Sequence, residues 1–196
     1  MTFRDVPQIA SFTIRLATIA DAAPLTAFGA RMFIDTFGAD SRPEDLDLYL
    51  RDAFSVPRLT SELTDPAFTT WIVEDGAGEL AGYAQTCDGP APDCVSGALP
   101  LELRRFYIDG RWQGQGLAQR LMSAVLDVVR QQGRRTLWLG VWEKNARAIA
   151  FYTRHGFVDV GSHTFWVGTD PQIDRLMTRA VDEPAARPVA EAGRDA

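Results

Sequence analysis

The first third of the chain shifts from a strand-like to a helix-like spacing of apolar residues. Residues 12–17 alternate between apolar and polar side chains, which predicts a half-buried strand. A helix is predicted to begin between Asp21 and Pro24, and two more are predicted after Ser41 and Pro57. The predicted apolar stripes are Leu25, Phe28, Met32 and Ile34 in the first helix, Leu46, Leu50 and Phe54 in the second, and Leu59 and Leu63 in the third.

The middle of the chain predicts three strands. Residues 69–74 and 80–87 form two of them, joined by the turn-forming sequence Asp-Gly-Ala-Gly at 75–78. Residues 88–100 are rich in Gly and Pro and predict a loop, and residues 101–108 alternate as a third strand does.

The last third of the chain alternates between helices and strands. Residues 114–132 carry a strong helical stripe that stops at Gly133, and residues 145–155 predict a second helix. Strands are predicted at 136–141, 157–160, 164–167 and 175–180. This order of elements predicts an α/β or α+β domain built on one mixed sheet.

Length and composition favour one globular domain. The 196 residues are enough for one sizeable core and too few for two ordinary domains, so residues 1–182 are predicted to form a single domain. Residues 183–196 are rich in Ala, Pro, Glu and Arg and are predicted to be a disordered tail. No run of about 18 apolar residues is present, which predicts that no helix spans a membrane.

The cysteines and the start of the chain bear on the compartment. Cys87 and Cys94 are the only two cysteines, and no histidine cluster flanks them. A disulfide framework and a metal site are therefore not expected. The first residues lack a basic region followed by an apolar block, so no secretory signal is expected. A reducing cytoplasm is the predicted location.

The net charge of −6 argues against a general nucleic-acid-binding protein. Its distribution is uneven, with 15 acidic and 6 basic residues in positions 1–100 and 11 acidic and 14 basic residues in positions 101–196. An acidic half joined to a mildly basic half could pair a cationic substrate with an anionic cofactor. Ordinary surface solvation explains the same asymmetry, so charge alone leaves both interpretations open.

The segment 106–118 has the most informative pattern. A predicted strand leads into a turn with Gly114 and Gly116, and an amphipathic helix follows. Glycines let the backbone approach a ligand, and the free N–H groups at a helix start favour an anion such as a pyrophosphate. Arg111 could add a charged contact. A turn of this kind also merely caps helices, and the segment matches neither a P-loop nor a dinucleotide-binding fingerprint.

Two motifs in this order resemble the GNAT superfamily of N-acetyltransferases. Arg111-x-x-Gly114-x-Gly116 after a strand is similar to its acetyl-CoA signature, and residues 137–157 (LWLGVWEKNARAIAFYTRHGF) resemble its second conserved block. The resemblance covers about residues 12–181. Finer features resemble the PaiA-type subgroup, whose members acetylate polyamines: Glu102-Leu103-x-Arg105-x-Tyr107, Leu139-Gly140-Val141-Trp142-Glu143, and His163-x-Phe165-x-x-Gly168 followed by Asp174.

The resemblance implies the GNAT fold and a place for acetyl-CoA. The fold has a central mixed, mostly antiparallel sheet of six to seven strands, about four flanking helices, and a V-shaped splay between the fourth and fifth strands. The cosubstrate is implied to lie in that gap. The residues implied to hold it are Phe106, Tyr107 and Ile108 by their backbone, Arg111, Gln113, Gly114, Gln115, Gly116, Leu117 and Ala118 around the pyrophosphate, and Asn145 on the pantetheine arm.

The resemblance also implies two catalytic candidates. Acetyl transfer requires that the acceptor ammonium lose a proton and that the departing thiolate gain one. Tyr152 is the candidate general acid, and a core tyrosine is the alternative interpretation. Glu102 is the candidate base, six residues before Ile108, and even spacing predicts that both lie on one face of a strand. The alternative is that Glu102 only pairs with Arg104 or Arg105.

The acceptor is expected to bind at the first two helices. Phe33, Asp35, Phe37 and Tyr49 are the candidate contacts, and the acidic residues Glu44, Asp45 and Asp47 could extend an acidic groove or form a solvated helix face. His163 is assigned no role. The expected function is acetyl transfer to a primary amine, such as spermidine or spermine, with no nucleic-acid or membrane partner and a possible homodimer. The alternatives are another amine (a protein N-terminus, an amino acid or an antibiotic) and a non-catalytic acyl-CoA-binding module.

Overall fold

Residues 11–181 are described by the computed structural model, and they form one seven-stranded sheet with five α-helices. The strands lie in the order β1-β2-β3-β4-β5-β7-β6. They are β1 Thr13–Leu16, β2 Phe68–Glu74, β3 Leu80–Cys87, β4 Pro100–Ile108, β5 Thr136–Trp142, β6 Val158–Val167 and β7 Asp170–Ala180. The helices are α1 Ala22–Phe37, α2 Pro43–Ala53, α3 Val56–Thr64, α4 Leu117–Gln131 and α5 Ala146–Arg154. The predicted tail 183–196 lies outside the described residues.

Helices cover both faces of the sheet. On the α4 face, helices α4 and α5 pack on a core that includes Leu121, Val125 and Leu139. On the α1 face, helices α1–α3 pack on a second core that includes Leu25 and Tyr83. None of the helices within residues 11–181 is long and apolar enough to cross a membrane. The predicted mixed, mostly antiparallel fold is confirmed.

The sheet opens between β4 and β5. Among the seven described strands these neighbours are the one parallel pair, and they are paired only where 100–102 lie beside 136–138. Both strands continue well beyond that point, β4 to Ile108 and β5 to Trp142, without further pairing to each other. The predicted V-shaped splay is therefore present. Its edges carry backbone N–H and C=O groups that an extended ligand could pair with.

A bulge in β4 changes which side chains share a face. The register of β4 with β3 skips Arg104, which stands as an extra residue between Leu103 and Arg105. Leu103 and Ile108 both pack on the α4 face although an odd number of positions separates them. Glu102 precedes the bulge and points to the α1 face. The prediction that Glu102 and Ile108 share a face is therefore wrong.

Three other details differ from the sequence predictions. Ile34 is exposed, and the buried stripe of α1 continues through Phe33 instead. Helix α4 begins at Leu117 and not at 114, because the glycines before it adopt positive φ angles. The two strands predicted at 157–160 and 164–167 are one strand, β6, with a bulge after Asp159. The other predicted elements are confirmed within a few residues.

A buried ion pair fixes α3 to the sheet. Arg105 of β4 and Glu62 of α3 are 7% and 2% exposed, and a guanidinium nitrogen of Arg105 donates to the carboxylate of Glu62. Arg58 donates to the same carboxylate over 2.8 Å and Gln85 over 3.2 Å. Burial opposes ionisation of Glu62, but the hydrogen bond and charge of Arg105 outweigh it, so the pKa of Glu62 is lowered.

Candidate active site

The turn before α4 presents free backbone donors. Gly114 and Gly116 have φ angles of +77° and +79°, and a Cβ added at either would meet no atom within 4 Å. In the described part of the chain, no side chain caps the helix at Gly116. Within residues 11–181, none of the backbone N–H groups from 114 to 118 has a hydrogen-bond partner. With the positive end of the α4 dipole behind them, these donors form a site suited to an anion.

Arg111 lies beside this turn because Asp109 holds it there. Asp109 is buried and accepts from the Arg111 backbone at 2.9 Å and from its guanidinium Nη2 at 3.0 Å. Arg31 of α1 donates to the same carboxylate at 2.9 Å. The hydrogen bonds from Arg111 hold the pKa of Asp109 well below its usual range. Two arginines share one carboxylate, so the edge of the turn stays positive.

The other predicted cofactor contacts surround the same turn. Gln113 and Gln115 lie on its exposed side, where Arg147 of α5 donates to the Gln113 side chain and Gln115 donates to the Arg111 carbonyl. Leu117 is buried and Ala118 is half-buried at the start of α4. Asn145 caps α5, where its Oδ1 accepts from the backbone N–H of Ala148 at 3.1 Å. The turn, the splay and the start of α5 therefore line one side of the molecule.

Tyr152 lies on the α4 face beside the open part of β4. Its ring packs edge-on against Phe106, with 6.3 Å between the ring centroids, and against Phe157 at 5.6 Å. Burial raises the pKa of the Tyr152 hydroxyl, and no charged neighbour contributes to that shift. Among the described residues the hydroxyl has no hydrogen-bond partner. A protonated hydroxyl with an unused donor thus belongs to a ring that packs on Phe106, and its role as general acid stays a prediction.

Glu102 lies at the apex of the splay on the opposite face. It stands beside Trp138 in the last paired position between β4 and β5. Its side chain is 24% exposed, and Arg104 approaches its carboxylate to 3.5 Å. Burial raises the pKa of Glu102, and the charge of Arg104 partly offsets that rise. Of the two arginines that could pair with Glu102, Arg104 makes a long contact with it. Arg105 does not, because its guanidinium is bound to Glu62.

The structure separates the four predicted acceptor contacts into two groups. Phe33, Phe37 and Tyr49 stack together, with 4.3 Å between the Phe33 ring and each of the other two. Phe33 is 2% exposed and belongs to the core. Asp35 lies on the outer, exposed face of α1 and does not join the aromatic rings.

Asp45 is neither a groove carboxylate nor part of a solvated face. It is 2% exposed and accepts from both the backbone and the hydroxyl of Thr169 over 2.7 Å. Arg42 donates to its other oxygen at 2.6 Å. Asp45 therefore clamps α2 to the turn between β6 and β7, and the expectation of an acidic groove through Asp45 is wrong.

Asp174 of β7 is a buried carboxylate to which the sequence analysis assigned no role. Its side chain faces the α1 side beside Trp142, it is 8% exposed, and burial raises its pKa to about 6. The nearest ionisable side chain is His163, whose Nε2 lies 3.9 Å from Asp174 Oδ2. The Oδ1 atom has no hydrogen-bond partner among the described residues. The sequence pattern that could have indicated its burial is its spacing from Leu176. Residues two apart on a strand share a face, and Leu176 faces the core.

Metal ligands are not grouped in the described part of the chain. No cluster of three or more His, Cys, Asp or Glu side chains suited to a metal occurs within residues 11–181. Cys87 and Cys94 both carry free thiols, and burial raises the pKa of Cys87. The polar groups that the site offers are backbone N–H groups, carboxylates and hydroxyls.

Comparison with known proteins identifies this arrangement. The family model described as Acetyltransferase (GNAT) family matches residues 31–157. The chain belongs to the GNAT family. It is 32% identical to an uncharacterized N-acetyltransferase of Lactobacillus delbrueckii subsp. lactis over 82% of this chain and 92% of that protein. It is also 32% identical to a spermine/spermidine N(1)-acetyltransferase of Bacillus subtilis, over 41% of this chain and 53% of that protein.

Solved structures of this family share the fold. The crystal structure of the PaiA N-acetyltransferase of Thermoplasma acidophilum, in complex with coenzyme A, superposes with a TM-score of 0.70. The match covers 87% of this chain and 99% of that chain at 17% identity. As a GNAT member the protein is an N-acetyltransferase, and its acetyl donor is acetyl-CoA. The open turn at Gly116 and the unpaired edge of β4 fit that donor, since one offers amides to a diphosphate and the other to an extended amide chain.

Proposed function

We propose that this GNAT enzyme acetylates a primary amine of a small polyamine such as spermidine or spermine. The observation that carries the proposal is the splay, which is open between a candidate acid on the α4 face and a candidate base on the α1 face. Helices α1–α3, which cover the α1 face, come from the acidic half of the chain, which has 15 acidic and 6 basic residues in its first 100 positions. The similarity to the Bacillus subtilis spermine/spermidine enzyme supports this class of amine.

The chain has groups for each part of the cosubstrate. The backbone N–H groups from 114 to 118 would hold the diphosphate, with Arg111 beside it. The backbone of residues 106–108 would pair with the pantetheine amides as an added strand, and Asn145 would bind the same arm. Acetyl-CoA supplies the acetyl thioester. A backbone N–H at Tyr107 or Ile108 would stabilise negative charge on the acetyl oxygen.

Proton transfer is assigned to one residue on each side. An alkylammonium group has a pKa near 10, so the acceptor needs a base at neutral pH. Glu102 would take that proton, directly or through a water molecule, and its raised pKa makes it a stronger base than an exposed carboxylate. The Tyr152 hydroxyl keeps its proton because burial raises its pKa, and it would give that proton to the sulfur of the leaving coenzyme.

A panel of amines tests the substrate class. Turnover of acetyl-CoA should have its highest kcat/KM with spermidine or spermine, compared with putrescine, a free amino acid, a peptide N-terminus and an aminoglycoside. Higher kcat/KM with one of the last three would move the enzyme to that other class of amine. Tight binding of coenzyme A without turnover of any amine would favour a non-catalytic acyl-CoA-binding module. Homodimer formation stays a prediction.

Two glycines of equal conformation test the diphosphate site. Gly116 begins α4 and Gly133 follows its end, with φ angles of +79° and +73° and no neighbour near a Cβ at either position. Replacing either by Ala should cost about 1–2 kcal/mol of unfolding free energy, because both are left-handed. Only Gly116→Ala should also weaken coenzyme A binding, because the added Cβ would keep the diphosphate away from the backbone N–H groups. The expected loss is about tenfold, the value of one hydrogen bond to a charged group. Titration calorimetry measures the affinity, and equal affinities of the two variants would reject the site.

A further inference from the structure

Asp174 lies on the α1 face against Gly140 of β5, where the sheet carries no side chain. A Cβ added to Gly140 would lie 3.1 Å from Asp174 Oδ2 and 3.4 Å from His163 Nε2, which is tighter than an ordinary contact. The Asp174 carboxylate and the His163 ring therefore occupy the space that a side chain at Gly140 would need. Gly140 lies just beyond the last paired position of β5 with β4, so the Asp174 carboxylate adjoins the splay. The Asp174 side chain is 12% exposed, beside the half-exposed His163.

Aromatic rings lie beside the Asp174 carboxylate on the same face of the sheet. Trp142 stands opposite Asp174 in the β5–β7 register, and Phe37 packs on it with ring centroids 4.9 Å apart. Phe165 of β6 contacts Phe37 at 6.3 Å and Tyr49 at 5.4 Å. Gln172 fixes the Trp142 ring by accepting from its Nε1 at 3.0 Å. A carboxylate beside aromatic rings is suited to an alkylammonium ion, which gains a charge partner and a cation–π contact together.

The ionisable groups around Asp174 leave it without a cationic partner in the described part of the chain. From β6 it faces His163, whose pKa is lowered by burial, so that the imidazole is neutral at pH 7. From α2 the nearest titratable group is the Tyr49 hydroxyl, whose pKa burial raises. From β5 it faces Trp142. The Lys144 ammonium lies 5.5 Å from the centroid of the Trp142 ring, and it pairs with Asp40 at 3.7 Å. A buried carboxylate with an unpartnered oxygen favours a ligand that brings a positive charge and donors.

We propose that Asp174 binds a second ammonium group of the acceptor, at a distance from the amine that reacts. This inference rests on the proposed function and narrows it to acceptors with at least two cationic nitrogens. Glu102 and Asp174 face the same side of the sheet from β4 and β7, two strand spacings or about 10 Å apart, and about 13 Å apart along the strands. A monoamine cannot reach both carboxylates, whereas an extended polyamine spans such a separation.

The variant Asp174→Asn tests this role with two acceptors. With spermidine, its KM should rise at least about tenfold while kcat changes less than twofold, because the lost contact is a charged hydrogen bond away from the reaction. With butylamine, which has one nitrogen, its KM should equal that of the wild type. Calorimetric titration of spermidine into the complex with coenzyme A should give the same loss of affinity without turnover. Below pH 6, where Asp174 takes up a proton, the wild-type KM for spermidine should approach that of the variant.

Controls separate this role from a structural one. Asp159→Asn removes an exposed carboxylate that pairs with Arg175 at 3.0 Å, and it should leave both KM values unchanged. The melting temperature of Asp174→Asn at pH 8 should be no lower than that of the wild type, since the change removes an unpaired buried charge. An unchanged spermidine KM, or equal losses with both amines, overturns the inference alone. A wild type that acetylates no diamine or polyamine overturns the proposed function and this subsite together.

Discussion

Replacing Tyr152 by Phe is expected to lower kcat about 100- to 10,000-fold while acetyl-CoA still binds, since this is the usual contribution of a general acid. The change removes one hydroxyl and keeps the ring that packs on Phe106 and Phe157. Because that hydroxyl has no partner among the described residues, its loss should leave the free energy of unfolding almost unchanged. Steady-state kinetics with spermidine, together with calorimetry of coenzyme A binding, measures both kcat and the affinity for the cosubstrate.

Tyr83 supplies a matched control. It is a fully buried tyrosine whose hydroxyl, like that of Tyr152, has no hydrogen-bond partner in the described residues, but it faces α1 and not α4. Tyr83→Phe should therefore keep wild-type kcat and stability. If both variants keep wild-type kcat, Tyr152 is not the general acid. Glu102→Gln gives the complementary test, because loss of a base should be relieved as the pH rises and more acceptor is already deprotonated.

Replacing Glu62 by Gln is expected to lower the free energy of unfolding by about 3–5 kcal/mol. The guanidinium of Arg105, which is 7% exposed, would keep its charge and lose the carboxylate that neutralises it. A loss of this size is a large part of the total stability of an ordinary domain. Chemical denaturation followed by tryptophan fluorescence measures it, since Trp71 lies on β2 in the core of the sheet.

The exposed pair of Asp47 and Arg51 is the reference for this experiment. Its partners are 3.2 Å apart, and both side chains are more than two-thirds exposed. Asp47→Asn should change the unfolding free energy by less than about 0.5 kcal/mol. Comparable losses in the two variants would mean that burial does not set the strength of the Arg105 contact. If both losses are small, the ion pair of Arg105 with Glu62 does not hold α3 to the sheet.

Local sequence patterns predicted the elements and the site turn because short-range physics decides both. Alternation over 101–108 and the stripe of α4 follow from burial of one face, and a Gly-rich turn before a helix follows from backbone sterics. The two motifs, at their observed separation, also led to the GNAT family and to its splay. The roles assigned to Tyr152 and to the backbone at 106–108 stay predictions.

The features that local patterns did not predict depend on partners distant in sequence. The bulge at Arg104 exists only relative to β3, so even spacing along β4 gave the wrong face for Glu102. Asp45 resembled a solvated helix residue, but the β6–β7 turn places Thr169 against it. Asp174 was marked only by its place in a motif, and its burial comes from strands that meet it across the sheet. In α1, the helical pattern allowed both Ile34 and Phe33, and the position of the sheet determines that Phe33 is buried.

The extra residue at Arg104 divides β4 into two halves of opposite phase. Before Arg104, Leu103 faces the α4 side and Glu102 the α1 side. After Arg104, the alternation between the two faces restarts one residue later. Removing Arg104 from the chain would rejoin the two halves in one alternation. Either the Glu102 side chain or the side chains of 106–108 would then point to the opposite face of the sheet. One inserted amino acid thereby lets a single strand present Glu102 to one face of the sheet and Leu103, Phe106 and Ile108 to the other.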